Sequence, residues 1–187
     1  MKRVLLHVCC AVDLAPAVRQ LRMEDYEVIG YFHNPNIQPE DEYTKRLRAV
    51  RRLAFAWEVP IIVSLYDPAN FLGLASGLWN APERGRRCEL CIKNNLQATR
   101  DLAASLSIKH FATTLTASRY KDIEMVNKIG ESLSTKETIY LASAFRKSGG
   151  QEFASYIVKA YNLYRQNYCG CIFSKRDRLS KRRKSDE

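Results

Sequence analysis

Residues 3–8, Arg-Val-Leu-Leu-His-Val, form a short, nearly unbroken apolar run that stops at two adjacent cysteines, Cys9 and Cys10. A run of this length and character suits a strand buried on both faces, the environment of a parallel sheet. Beyond Asp13, Leu14, Ala17, Val18 and Leu21 recur at helical spacing. Asp13 suits a helix N-cap, and Pro16 suits a first helical turn. A buried strand, a short loop and a helix in that order commit the chain to an α/β architecture from its first residues.

The same alternation continues. Strands are predicted at 27–33, 61–65, 110–115 and 138–142, and helices at 40–57, 90–106, 122–133 and 151–166. Residues 67–87 read as irregular. The fold class is therefore α/β, with a single doubly wound parallel sheet of about five strands and a C-terminal helix. One domain spans 1–174, followed by a basic tail over 175–187. In such sheets ligands bind beyond the carboxyl ends of the strands, where strand order reverses. With the order 3-2-1-4-5, Cys9, Cys10, Thr113 and Thr114 share that place. No apolar run approaches the roughly 18 residues of a membrane span, and the apolar start breaks at His7 without a signal-type cleavage site. Those features predict a cytoplasmic protein with no membrane partner.

The six cysteines come as three tight pairs, Cys9-Cys10, Cys88-x-x-Cys91 and Cys169-Gly-Cys171. In a chain without a secretory signal such pairs point to metal or redox chemistry rather than structural disulfides. C-x-x-C entering a helix can aim two thiolates at one metal or cluster. Neighbouring residues of an extended strand point to opposite faces, so Cys9 and Cys10 share one centre only if the chain turns between them. Asp13 can add an oxygen ligand or serve purely as a cap. Cys169 and Cys171 can ligate metal, with Gly170 permitting close backbone approach, or form a strained, redox-active disulfide. A cubane cluster uses about four thiolates; six thiolates plus Asp13 leave a surplus for a second metal or a dithiol. His7 reads as a core residue, His33 as a candidate proton donor and His110 as structural.

The net charge of +10 favours a polyanionic partner, nucleic acid above all. Arg84, Arg86 and Arg87 abut Cys88, and residues 174–187 hold seven Lys/Arg against three acids, including Lys175 and Arg176. Such groups position a phosphate backbone. Asn34 and Asn36 lie in a turn-rich loop, and Tyr168 is the aromatic best placed for a base contact. Tyr161 and Tyr164 read as core.

Taken in order, His7-x-Cys9-Cys10, Asn34-Pro35-Asn36-Ile37 with Glu42-Tyr43, Arg87-Cys88-Glu89-Leu90-Cys91, Phe111-x-Thr113-Thr114-Leu115 with Ser118-x-Tyr120, and Tyr168-Cys169-Gly170-Cys171-x-Phe173-Ser174 resemble the QueH family of cobalamin-independent epoxyqueuosine reductases. The match covers about residues 3–174. It implies a fold like the adenine-nucleotide alpha-hydrolases and an iron–sulfur oxidoreductase of tRNA modification. Such an enzyme reduces the wobble-position epoxide of epoxyqueuosine to queuosine. The cofactors expected are a 4Fe–4S cluster and, beside it, either a second mononuclear metal, iron or zinc, or a redox-active dithiol; the partners are the tRNA and an external electron donor. Cys10, Cys88 and Cys91 are expected to hold the cluster. Cys9 either completes it or turns with Asp13, Cys169 and Cys171 towards a second centre. Asp13, Cys169 and Cys171 are the catalytic candidates. Asn34, Asn36, Arg84, Arg86, Arg87, Tyr168, Lys175 and Arg176 are the RNA contacts. Two rivals share parts of this pattern. A PP-loop tRNA sulfurtransferase needs a glycine-rich phosphate loop, which Cys9-Cys10-Ala11-Val12-Asp13 lacks. A zinc-stabilised RNA-binding module would be colourless.

Overall fold

A computed structural model describes residues 1–183. Its strands are β1 (Lys2–His7), β2 (Tyr26–Phe32), β3 (Ile61–Val63), β4 (His110–Thr113) and β5 (Ile139–Tyr140). They pair in parallel in the order β3-β2-β1-β4-β5, the order predicted from the sequence. The helices are α1 (Ala11–Met23), α2 (Glu40–Ala56), α3 (Pro68–Leu74), α4 (Arg86–Ser105), α5 (Ile123–Ser132), α6 (Gly150–Ala160) and α7 (Ile172–Arg183).

The strand period divides the core. Val4 and Leu6 of β1 face one side, where they join Leu14 and Val18 of α1, Val50 and Leu53 of α2, and Ile157 of α6. Leu5 faces the other side, with Phe111, Ile92 and Leu96 of α4, and Val126 of α5. Both faces of the sheet are covered, which is why β1 reads as a continuous apolar run. Among the described residues no helix is long and apolar enough to cross a membrane.

The structure departs from the sequence reading at several places. Pro16 lies inside α1 rather than in its first turn, and β4 stops at Thr113, where a short 3-10 helix over Thr114–Ala117 takes over. Asp13 is not the cap of α1; Cys10 is, with Asp13 in the first turn. The stretch 67–87 contains α3, capped by Asp67 through the amide of Asn70. The predicted helix over 151–166 ends at Ala160, freeing 161–171 as a loop. Residues expected as a tail form α7 through Arg183, because Phe173 packs with Phe71, Ala75, Cys91 and Cys171 and anchors its first turn. The predicted tail's last residues, 184–187, lie outside the described residues.

His7 is the polar exception in β1. Its ring nitrogens meet Thr113 Oγ1 at 2.9 Å and the His33 carbonyl at 3.1 Å, tying β1 to β4 and to the end of β2. Burial, reinforced by His33, lowers its pKa from 6.5 to about 3. The unfolded chain therefore binds a proton near pH 6.5 that the folded chain refuses. Stability is expected to fall as pH drops from 6.5 towards 3, with His7 contributing up to about 1.4 kcal/mol per pH unit. Urea titrations of wild type and His7→Gln should show the variant with the shallower dependence.

Gly130 tests the packing of the β5 edge. A Cβ there would lie 2.5 Å from the Tyr140 ring, whose hydroxyl is fixed by Asn127 Oδ1 at 3.1 Å. Gly130→Ala should cost about 1–3 kcal/mol of overpacking strain. It should be read as a lower urea midpoint at unchanged slope.

Candidate metal centre

The chain bends at Cys9, directly beyond β1. The bend resolves the opposite-face problem of adjacent strand residues, bringing the Cys9 and Cys10 sulfurs to 3.9 Å. Asp13 Oδ2 accepts from Cys9 Sγ at 3.4 Å, and the three side chains offer ligand atoms all within 4.8 Å of one another. Cys10 Sγ accepts from the Asp13 amide at 3.4 Å, so the thiol that caps α1 also belongs to the site. From the turn directly after β4, Thr114 Oγ1 touches Cys9 Sγ at 3.4 Å and accepts from the Cys9 amide at 3.2 Å. From the 161–171 loop, Gln166 Nε2 donates to Cys10 Sγ at 2.9 Å. Burial pushes the Cys10 thiol and the Asp13 carboxyl up, each against its ordinary value. A metal displaces such protons when it takes thiolate and carboxylate ligands.

The other four thiols gather around a different group. Cys88 lies in the first turn of α4 and Cys91 one turn on, on the same face. Cys169 and Cys171 lie at the loop that enters α7. Lys121 is buried and lines one cavity with Cys91 and Cys169, within electrostatic reach of Cys88. Burial alone would lower its pKa, but these thiols reverse the effect and hold it above the ordinary ammonium range. Burial pushes Cys91 up, and Cys171 up to about 11. All six cysteines are free thiols. A cavity lined by Cys9, Asp13, Cys91, Lys121 and Cys169 joins the two groups.

Arg46 of α2 holds the third pair in place. Its Nε donates to Glu42 Oε1 at 2.7 Å, while Nη1 and Nη2 donate to the carbonyls of Cys169 and Tyr168, each at 3.0 Å. Tyr164 donates to the other Glu42 oxygen at 2.5 Å. The Gln38 amide bonds the Gly170 carbonyl at 2.9 Å. Gly170 has φ +140°, a conformation that favours glycine, and a Cβ there would come within 3.2 Å of Ile37 and 3.3 Å of Arg46. The glycine between the cysteines is thus required by the clamp.

The remaining sequence candidates divide by burial. Asn34 donates to the Val8 carbonyl at 2.8 Å, and Asn36 accepts from Asn95 at 3.0 Å; both are buried and line the cavity between the thiol groups. Arg87 is inside the protein, bonded to the carbonyls of Trp79 at 2.9 Å and Ala81 at 2.6 Å and stacked on Phe173. Tyr168 is also buried, donating to the Gln38 carbonyl and packing on Arg46. Neither presents a surface to RNA, because each satisfies backbone carbonyls that would otherwise be orphaned. Arg84, Arg86 and Arg176 are exposed and Lys175 is half-buried. His33 contacts Ser64 Oγ at 3.0 Å and stacks on Tyr31, and its pKa is lowered by burial. Arg46, Lys121 and Gln166 emerge only from the structure, which also shows the contacts that Glu42 and Thr114 make. Arg46 lay hidden in a basic helix that reads as a solvated face. Lys121 carries no motif.

A parallel α/β sheet with thiols and a carboxylate gathered at its carboxyl edge defines an α/β domain with a candidate metal site. The sequence places it more finely. The family model described as "Epoxyqueuosine reductase QueH" matches residues 4–177, and the chain belongs to that family. The epoxyqueuosine reductase QueH of Thermotoga maritima is 34% identical over 185 residues, covering 97% of this chain and 94% of the relative. That of Histophilus somni is 33% identical over 177 residues, covering 94% and 73%. Among solved structures, the U34-tRNA thiolase NcsA of Methanococcus maripaludis, determined with its 4Fe–4S cluster, aligns with a TM-score of 0.60 at 13% identity. The alignment covers 97% of this chain and 66% of the thiolase. A predicted tRNA methyltransferase subunit of Methanocaldococcus jannaschii aligns at 0.51 and 15% identity, covering 85% and 75%. These likenesses establish the shared fold.

Removing one partner of a buried ion pair strands the other, at about 3–5 kcal/mol. Arg46→Ala should lose that much in urea unfolding. Lys45→Ala, whose partner Asp41 is exposed at 3.0 Å, should stay within about 0.5 kcal/mol of wild type. In the Arg46 variant, Cys169 should also react faster with a thiol reagent, since its loop has lost the clamp.

Proposed function

We propose that this protein reduces the epoxide of epoxyqueuosine in tRNA to the alkene of queuosine, using metal held by the thiols at the carboxyl edge of the sheet. The observation that carries this reading is that, in a chain of the QueH family, one cysteine from each of three distant pairs (Cys9, Cys91 and Cys169) lines a single cavity with Asp13.

The donor set suits the implied groups. Cys88, Cys91, Cys169 and Cys171 match the four-thiolate count of a cubane cluster. Cys9, Cys10 and Asp13 supply three donors, the number that leaves a metal an open position. This division differs from the grouping of Cys10 with Cys88 and Cys91 expected from the sequence, and it rests on which thiols surround Lys121. A buried ammonium with no carboxylate partner among the described residues needs anionic charge, and a thiolate-bound cluster provides it.

Removing an epoxide oxygen takes two electrons and two protons and yields an alkene and water. The iron–sulfur cluster supplies single electrons, and a second metal, iron or zinc, supplies Lewis acidity. The protein's own groups do the rest. Asp13 and Cys9 fix a metal beside the cavity. Gln166 and Thr114 orient the Cys10 and Cys9 sulfurs. Lys121 balances the thiolate charge. Arg84, Lys175 and Arg176, joined by Arg119 and Arg165 on the cleft that opens over Asp13, hold the RNA backbone. The electrons come from an external donor.

Anaerobic reconstitution tests the division. Wild type should take up about four iron and four sulfide for the cluster, and turn brown. Cys88→Ala, Cys91→Ala, Cys169→Ala and Cys171→Ala should each lose the cluster absorbance. Cys9→Ala and Asp13→Ala should retain it but lose additional bound metal and turnover of epoxyqueuosine tRNA. A wild-type protein that binds zinc and remains colourless would end the iron–sulfur reading.

A further inference from the structure

Helix α4 has two working faces. Cys88, Cys91, Ile92 and Asn95 fall at i, i+3, i+4 and i+7 and turn towards the thiol site. Arg86, Glu89, Leu90 and Lys93 fall on the opposite stripe and line a surface groove of about 620 Å³ against α5. Its floor is apolar: Leu78, Leu90, Met125 and Ile129. Its rim carries Arg86 and Lys93 from α4 and Lys128 from α5, against the single acid Glu89. Leu90 is 39% exposed, and both lysines face solvent.

We propose that this α4–α5 groove docks an acidic one-electron carrier protein that reduces the enzyme. The inference rests on the iron–sulfur reading above. An apolar centre with a charged rim is the anatomy of a transient protein interface. Three cations against one anion select an acidic partner and speed its encounter. The apolar floor disfavours RNA, whose phosphates would be desolvated over four hydrocarbon side chains without compensation. A second copy of the chain would bring the same cations face to face. The place is also right for the chemistry. Only α4, about 10 Å across with its side chains, separates the groove from the Cys88 and Cys91 sulfurs. Two successive encounters balance the reaction. Each oxidises one reduced carrier and delivers one electron. Two protons come from water, both epoxide C–O bonds break, the carbon–carbon double bond forms, and the oxygen leaves as water.

The test uses reconstituted wild type and the double variant Lys93→Glu/Lys128→Glu. Lys109→Glu serves as an exposed control at the far edge of the sheet. The probe is a small acidic 2Fe–2S ferredoxin. Its Kd, by calorimetry with oxidised ferredoxin, should rise at least about tenfold in the double variant and stay unchanged in the control. In wild type it should also rise with salt. Turnover driven by reduced ferredoxin should fall in parallel, while turnover driven by dithionite should stay at the wild-type rate. Equal ferredoxin affinity in wild type and the double variant would overturn the proposal. So would a loss of tRNA affinity in the double variant with ferredoxin binding intact, which would assign the groove to RNA. Absent dithionite turnover in wild type would instead count against the reductase reading, while ferredoxin binding would still be measurable.

Discussion

The site depends on one buried guanidinium. Arg46 leaves water completely, at a desolvation cost of several kcal/mol, and meets Glu42 on its own helix and two carbonyls of the 168–169 backbone. Its planar fork serves three acceptors in fixed directions, which a lysine could not do. Without it the Cys169-Gly170-Cys171 segment would keep its bonds to Gln38 but lose its two anchors to α2. With it, the third cysteine pair is held against the sheet edge that already carries the first. The convergence of three sequence-distant pairs is thus an electrostatic achievement of α2, an element that contributes no thiol.

Electrostatics also explain why the thiols cluster as they do. Burial alone drives thiols and carboxyls towards their neutral forms, and it drives an ammonium the same way. Placing Lys121 among Cys169, Cys91 and Cys88 turns two unfavourable burials into a mutual demand for opposite charge. The Cys9–Cys10–Asp13 group has no lysine of its own inside the ligand triangle. It relies instead on Arg46 and Lys121 nearby, both of which act to lower the Asp13 pKa against its burial.

Much of the fold was legible because each β–α unit announces itself locally. The buried run at 3–8, the helical spacing after Asp13 and the alternation that follows lead to the five-stranded order. The helix boundaries that failed did so where tertiary contacts decided them. α7 exists because Phe173 finds Phe71, Cys91 and Cys171; α6 stops at Ala160, leaving the segment that carries Gln166 to reach Cys10. The cysteine pairs and Asp13 were legible as candidate donors because thiols in tight pairs have few other uses in a chain of this kind. Arg87 and Tyr168 were legible as polar or aromatic groups beside the site, but not as buried ones. Burial depends on which backbone carbonyls fold over a side chain, and composition carries no trace of that.

The sequence by itself determined the architecture, the donor inventory and the family. Apolar periodicity, thiol spacing and ordered motifs are local properties that survive in a linear string. Only the tertiary structure decided which side chains meet. The bend at Cys9 brings two opposite-facing neighbours together. Arg46 ties down the third pair, and Lys121 is buried on the same cavity as Cys91 and Cys169. Each of those depends on contacts between residues far apart in the chain, from Cys9 and Thr114 to Arg46 and Cys169. Such contacts exist only once the sheet has set the spacing of its strands and the helices have packed on its two faces.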